Sequence, residues 1–175
     1  MSWSTWSSQE RAARPRVAMR DTVRSARPAD RAAVEEIVHA AYEPWVRTIG
    51  VRPAPLDADY GALISGGLVF VCGADELTGV IVLVPEADVL LIENVAVRPD
   101  RQGEGIGRAL LAFAEAEARG GGRPAVRLYT HSGMASNVAL YERLGYVVTH
   151  RQPLDTGYLV HMRKQVAPGP IVVIG

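Results

Sequence analysis

The spacing of apolar positions changes several times along the chain, and each change predicts an element. Residues 22–26 read as a short strand. Pro28, Ala29 and Asp30 open a helix, with proline in the first turn and an acid near the N-terminus. Val34, Ile37, Val38 and Ala41 follow at i, i+3, i+4 and i+7, one apolar helical stripe. Pro44 is expected to interrupt that helix, and 45–66 to be helical but broken, punctuated by Gly50, Pro53 and Pro55. Three strand-like runs come next, at 68–73, 79–84 and 89–97. The turns at 73–77 and 85–88 make them an antiparallel meander. The third run, VLLIENVAV, carries Glu93 and Asn94 in its middle.

A loop at 98–105 leads into a helix traced by Ile106, Ala109, Leu110, Phe113 and Glu117, which stops at Gly120, Gly121 and Gly122. Residues 125–130 read as a strand and 135–144 as a helix closed by Gly145. Runs 146–151 and 157–162 read as a final hairpin. The order β-α-α-β-β-β-α-β-α-β-β is a mixed α/β arrangement without internal repeats.

At 175 residues the chain fits one domain with a sizeable core. No apolar run approaches the roughly 20 residues that span a bilayer, so no membrane partner is expected. Its 19 basic and 19 acidic side chains cancel, which argues against a nucleic-acid partner. The balance is uneven: residues 1–20 hold four arginines and one glutamate, 4 − 1 = +3, which leaves 15 − 18 = −3 for the rest. Residues 1–20 lack apolar periodicity and read as a disordered leader, 21–165 as the working domain and 166–175 as a tail. The apolar run at 171–174 of that tail leaves an edge strand or a homodimer open. Cys72 is the single cysteine, which excludes a disulfide framework and fits a reducing, cytoplasmic compartment. The histidines have no metal-ligand spacing, so no metal is expected.

The sharpest stretch is NVAVRPDRQGEGIGRALL, residues 94–111. A strand ends, a loop with proline follows, and Gly103, Gly105 and Gly107 recur where a helix begins. Glycines let the backbone approach an anion and turn its N–H groups toward it, and the helix N-terminus adds about half a positive charge. A phosphate-bearing ligand is the natural occupant. A P-loop would need Gly-Lys-Ser/Thr, but Arg108 and Ala109 follow Gly107. A dinucleotide fingerprint begun at Gly103 would need glycine at position 108.

What fits is Gln102-Gly103-Glu104-Gly105-Ile106-Gly107. It resembles the Q/R-x-x-G-x-G/A signature of the GNAT superfamily of acyl-CoA-dependent N-acyltransferases. The preceding Val95-Ala96-Val97-Arg98-Pro99 resembles that family's strand ending. Asn137 to Tyr146, NVALYERLGY, resembles its second block. The resemblance covers about residues 22–164. It implies a mixed, mostly antiparallel sheet flanked by helices and splayed between the fourth and fifth strands. It further implies acetyl-CoA as acyl-donor co-substrate and a small-molecule or peptide amine as acceptor. By this resemblance, backbone groups of Val95, Ala96 and Val97 pair with the pantetheine arm. Those of Gly103, Glu104, Gly105, Ile106, Gly107 and Arg108 hold the pyrophosphate, with Gln102 opening the loop. Asn137 bonds the arm or nearby backbone, and Tyr141 lies near the thioester sulfur.

The chemistry adds its own demands. An alkylamine has a pKa of about 10.4, so something must accept its proton, directly or through water. The departing thiolate needs a hydrogen-bond donor, which a tyrosine hydroxyl can supply. Glu93, a carboxylate inside an apolar strand, is the candidate base, or it orders the water that serves as one. Tyr141 is the candidate acid. His131 at a strand end borders the expected acceptor cleft, with turn capping as its equal alternative. Tyr42, Trp45 and Tyr158 shape either that pocket or the core, and Cys72 reads as core. The reading is direct acyl transfer in a ternary complex. The alternatives are a non-catalytic acyl-CoA-binding sensor or interaction domain, or a nucleotide-phosphate binder using the same glycines.

Overall fold

The computed structural model describes residues 23–166. The expected 1–20 leader, the start of the first strand at Thr22 and the run at 171–174 lie outside the described residues. Among the described residues, seven strands form one sheet: β1 (Val23–Ser25), β2 (Val69–Cys72), β3 (Gly79–Pro85), β4 (Val89–Val97), β5 (Ala125–His131), β6 (Val147–Leu154) and β7 (Gly157–Gln165). Among the same residues, four α-helices flank it: α1 (Arg31–Ile49), α2 (Tyr60–Ser65), α3 (Ile106–Gly120) and α4 (Ala135–Arg143). The sheet order is β1-β2-β3-β4-β5-β7-β6. Every neighbouring pair is antiparallel except β4 and β5.

Each face of the sheet buries its own core. One face packs Ile81, Leu83, Leu90, Ile92, Val126, Leu128 and Met162 against Ile106, Leu110 and Leu111 of α3 and Tyr141 of α4. The other packs Val69, Val71, Val80, Val82 and Ala96 against Val34, Ile37 and Val38 of α1 and Ile64 of α2. The i, i+3, i+4 stripe read from the sequence is therefore the buried face of α1.

One expectation fails. Pro44 does not end α1, which runs on through Ile49 and closes at Gly50, whose φ of 72° is left-handed. A proline inside a helix removes one amide donor without forbidding the residues beyond it from helical angles. Here the added turn is retained because it ends on Ile49, which is buried. The closing hairpin is also longer than its apolar residues suggest. β6 runs to Leu154 with mostly exposed side chains, a cross-strand partner sufficing where burial is absent.

Asp30 ties β1 to the start of α1. Its carboxylate accepts from both Arg24 Nη1 (2.7 Å) and Nη2 (3.0 Å), and from the Arg27 amide at 2.6 Å. The Arg24 hydrogen bonds, above all, hold the Asp30 pKa down to about 2. A depressed carboxylate stabilises the fold above its unfolded value, and that contribution is lost as pH falls through the folded one. Because Arg24 is partly exposed, Asp30→Ala is expected to cost about 1 kcal/mol at neutral pH. The gap between the two proteins should close as pH falls from about 4 to about 2, read by urea denaturation at stepped pH.

Candidate active site

The parallel pair β4 and β5 is joined only over Val89–Ile92 and Ala125–Leu128. Beyond Ile92 the strands part, and Val95–Val97 pairs with β3 alone. The splay expected between the fourth and fifth strands is thus present, and it begins at Glu93. There β4 also bulges: Leu83 faces Ile92 and Val82 faces Asn94, so Glu93 is the extra residue. The bulge reverses the alternation of β4. Leu90 and Ile92 lie on the α3 face before it, and Val95 and Val97 lie on that same face after it.

A cavity of about 190 Å³ opens at this point. Glu93, Asn137 and Tyr141 line it together with Val95. Its far wall comes from the end of α1 and from 51–55, within the region the sequence marked as broken. Tyr42 lines it as expected, whereas Trp45 and Tyr158 are absent from the lining. Both lack the inward position: Trp45 is half-buried elsewhere on α1 and Tyr158 is exposed.

Glu93 is half-buried, and its Oε1 accepts a hydrogen bond from the Tyr129 hydroxyl at 2.6 Å. Burial, then this bond, pushes the Tyr129 pKa up, so Tyr129 stays protonated and donates. Sequence reasoning missed Tyr129. The signal was the alternation in β5, where Arg127, Tyr129 and His131 share the face opposite Val126, Leu128 and Thr130. Only the β4–β5 register makes it useful. Ile92 pairs with Leu128, so the next residues, Glu93 and Tyr129, come level.

Asn94 is buried and hydrogen-bonded through both its amide oxygen and its amide nitrogen. Its Oδ1 accepts from the Tyr42 hydroxyl (2.7 Å), its Nδ2 donates to the Tyr60 hydroxyl (2.9 Å), and Tyr60 donates to the Pro55 carbonyl (3.0 Å). This chain fastens α1, α2 and the 51–55 wall to β4. His131 takes the capping role: its Nδ1 accepts from the Gly133 amide at 3.0 Å while its ring borders the cavity. Cys72 is buried in the core.

Tyr141 is 7% exposed, and its hydroxyl has no partner among the described residues. Burial alone raises its pKa to about 12. At ordinary assay pH it remains a neutral hydroxyl, able to donate.

The glycine loop lies past the other end of the β4 splay. Gly103 (φ 82°) and Gly105 (φ 86°) are left-handed, and a Cβ on either would meet nothing within 4 Å. Gly107 places α3 against the end of β4, where its Cβ would stand 3.7 Å from Val97 Cγ2. Gln102 Nε2 donates to the Val97 carbonyl at 3.3 Å, and Arg101 pairs with Glu104 at 2.9 Å. Ala109 is the first residue of the turn to close a helical bond, to the Gly105 carbonyl. Among the described residues, none of the amide N–H groups of 103–108 has an acceptor. Consecutive orphan donors at a helix N-terminus, with open space above two left-handed glycines, suit a pyrophosphate. The residues present therefore fit the anionic part of acetyl-CoA.

Gly105→Val tests this loop. A β-branched residue is strained at a left-handed φ, and its side chain would stand in the open space. About a tenfold rise in KM for acetyl-CoA is expected, with kcat changed less, from initial rates at varied acetyl-CoA.

Among the described residues, no helix is long and apolar enough to cross a membrane. Nor, among them, do three or more His, Cys, Asp or Glu side chains gather as a metal site would require.

Comparison with known proteins agrees with this geometry. Residues 65–148 match the family described as "Acetyltransferase (GNAT) domain". The chain is 42% identical over 60 residues to mycothiol acetyltransferase of Streptomyces coelicolor, a match covering 34% of this chain but 19% of that protein. The chain thus spans about a fifth of the length of that curated relative. The fold is that of the ribosomal-protein-S18-alanine N-acetyltransferase of Escherichia coli, with a TM-score of 0.63 and 22% identity over 88% of this chain and 99% of that one. It is equally that of the PaiA N-acetyltransferase of Thermoplasma acidophilum, solved in complex with coenzyme A. There the TM-score is 0.67 and the identity 20%, over 82% of this chain and 97% of that one. Family match and fold agree: residues 65–148 match the GNAT acetyltransferase domain, and the described residues share the fold of these two N-acetyltransferases.

Proposed function

We propose that residues 21–165 form an N-acetyltransferase domain that transfers acetyl directly from acetyl-CoA to an amine, in a ternary complex and without a covalent enzyme intermediate. The observation that carries the reading is the continuity of three features along β4. The Glu93 carboxylate and the Tyr141 hydroxyl border the cavity where the sheet parts. The Val95–Val97 segment beyond it lacks a β5 partner. The unsatisfied N–H groups of 103–108 follow at the strand's end. The single, buried cysteine fits a reducing compartment such as the cytoplasm.

When bound, acetyl-CoA supplies an activated acyl thioester; the chain's own residues do the rest. The N–H groups of 103–108 hold the pyrophosphate with backbone dipoles, and Arg108 stands exposed beside them. The backbone of Val95–Val97 pairs with the pantetheine arm as a strand would, and the Asn137 amide reaches the same arm. An amide N–H of the 93–97 segment faces the acyl oxygen and stabilises charge there. Glu93 attracts the cationic amine and accepts its proton, directly or through a water it orders. As the N–C bond forms and the C–S bond breaks, the Tyr141 hydroxyl faces the departing sulfur.

Magnitude decides what Tyr141 does. A thiol has a pKa of about 8.5, several units below the value of about 12 that burial gives Tyr141. Full proton transfer from Tyr141 to a thiolate runs uphill. Its role is therefore hydrogen-bond donation to the leaving sulfur rather than release of a proton.

The test is coenzyme A release from acetyl-CoA across a panel of amines. Thermal shifts with coenzyme A, ATP and NAD run alongside. Amine-dependent release together with a shift specific to coenzyme A is the expected result. Tight retention of acetyl-CoA with no amine-dependent release would instead mark a non-catalytic sensor. A larger shift with ATP or NAD would mark a nucleotide binder.

A further inference from the structure

We propose that the acceptor is a small monoamine carrying a compact apolar or aromatic body, and that aminosugars, polyamines and peptide N-termini are poor acceptors. This rests on the acyl-transfer reading above and narrows it.

The polar side chains around the cavity are largely spent on one another. Tyr42 is bonded to Asn94, and Tyr129 to Glu93 Oε1. Arg52 is held by Asp57 at 2.7 Å and by the Leu56 carbonyl at 3.4 Å. Thr130 donates to the Met134 sulfur at 3.6 Å, and the His131 nitrogens face Gly133 and Thr156. In the reading above, Tyr141 and Asn137 serve the acyl donor. The acceptor is left one charged anchor, the second oxygen of Glu93, which has no partner among the described residues.

The rest of the wall is apolar: Ile49, Val51, Pro53, Pro55, Leu154 and Leu159. A hydroxyl or second ammonium carried into this space would lose water and find little in return. The size agrees, since about 190 Å³ is below the roughly 300 Å³ at which drug-sized pockets begin. The end of α1 also packs on two turns at the cavity's edge. A Cβ on Gly133 would stand 2.8 Å from Ile49 Cγ2, and one on Gly50 would stand 3.8 Å from Thr156 Cγ2. A peptide extending beyond its amine would have to pass this contact, whereas a compact amine ends before it.

The experiment compares kcat/KM by coenzyme A release. The acceptors are 2-phenylethylamine and 3-methylbutylamine against 2-amino-1-phenylethanol, glucosamine, spermidine and a tripeptide with a free N-terminus. The two apolar amines are expected to exceed the hydroxylated analogue about tenfold or more, and the other three by more. Leu159→Asn should narrow the gap several-fold, chiefly by raising KM for the apolar amines. A hydrophilic amine that matches or beats the apolar ones overturns the inference and leaves acyl transfer standing. Failure of every amine to accelerate coenzyme A release overturns both, because the reading beneath has then failed.

Discussion

Tyr141→Phe is expected to lower kcat about a hundredfold, with KM for acetyl-CoA close to wild type, measured by coenzyme A release under saturating amine. The loss is that of one donor aimed at charge developing in a closed site, about 2.7 kcal/mol. Phenylalanine keeps the ring and its tilted packing on Tyr146, whose centroid lies 6.0 Å away, so the fold should be little disturbed. The pH dependence separates a hydrogen-bond donor from a proton donor. With its pKa raised to about 12 by burial, Tyr141 does not titrate between pH 7 and 10. The ratio of wild-type to variant rates should therefore stay constant across that range. A ratio that collapses on the alkaline side would mean Tyr141 is ionising there and delivering a proton. An unchanged kcat would remove it from the reaction.

Glu93→Gln is expected to cut kcat/KM by about thirty- to a hundredfold near pH 7.5, at the lower end of what positioned proton transfer contributes. The sign with pH follows from the amine. At pH 7.4 an amine of pKa about 10.4 is neutral in only about one molecule in a thousand. Rising pH supplies the neutral form without help, so the deficit of the variant should shrink toward pH 10. Tyr129→Phe should give a smaller loss of about fivefold, since it frees the carboxylate without removing it. A Glu93→Gln enzyme that matches wild type at every pH would leave Glu93 no part in proton transfer.

Much of this site was readable in the sequence because glycine's backbone freedom is a local property. Gly103 and Gly105 stand at left-handed φ values where other residues are strained, so the loop is written in residue identity. The α1 stripe and the strand runs were legible for the same reason, since burial periodicity is local. What stayed hidden depends on pairing across the sheet. Tyr129 reaches Glu93 from 36 residues away, and Tyr42 reaches Asn94 from 52 away. Neither distance leaves a trace in spacing. The misreading of Pro44 has the same origin: a local penalty was outweighed by burying Ile49, and that burial is a tertiary event.

The bulge at Glu93 gives β4 a hinge of parity. Its two halves alternate in opposite phase along the chain, and the one inserted residue accounts for the difference. Removing that residue would leave Ile92 on the α3 face, Asn94 on the α1 face and Val95 and Val97 on the α3 face, because the shortened strand would alternate regularly against Leu83 and Val82. The two cores therefore do not need the extra residue for their packing. What the insertion adds is a carboxylate set at the parting of the strands, at a position the sheet could lose without exchanging its faces.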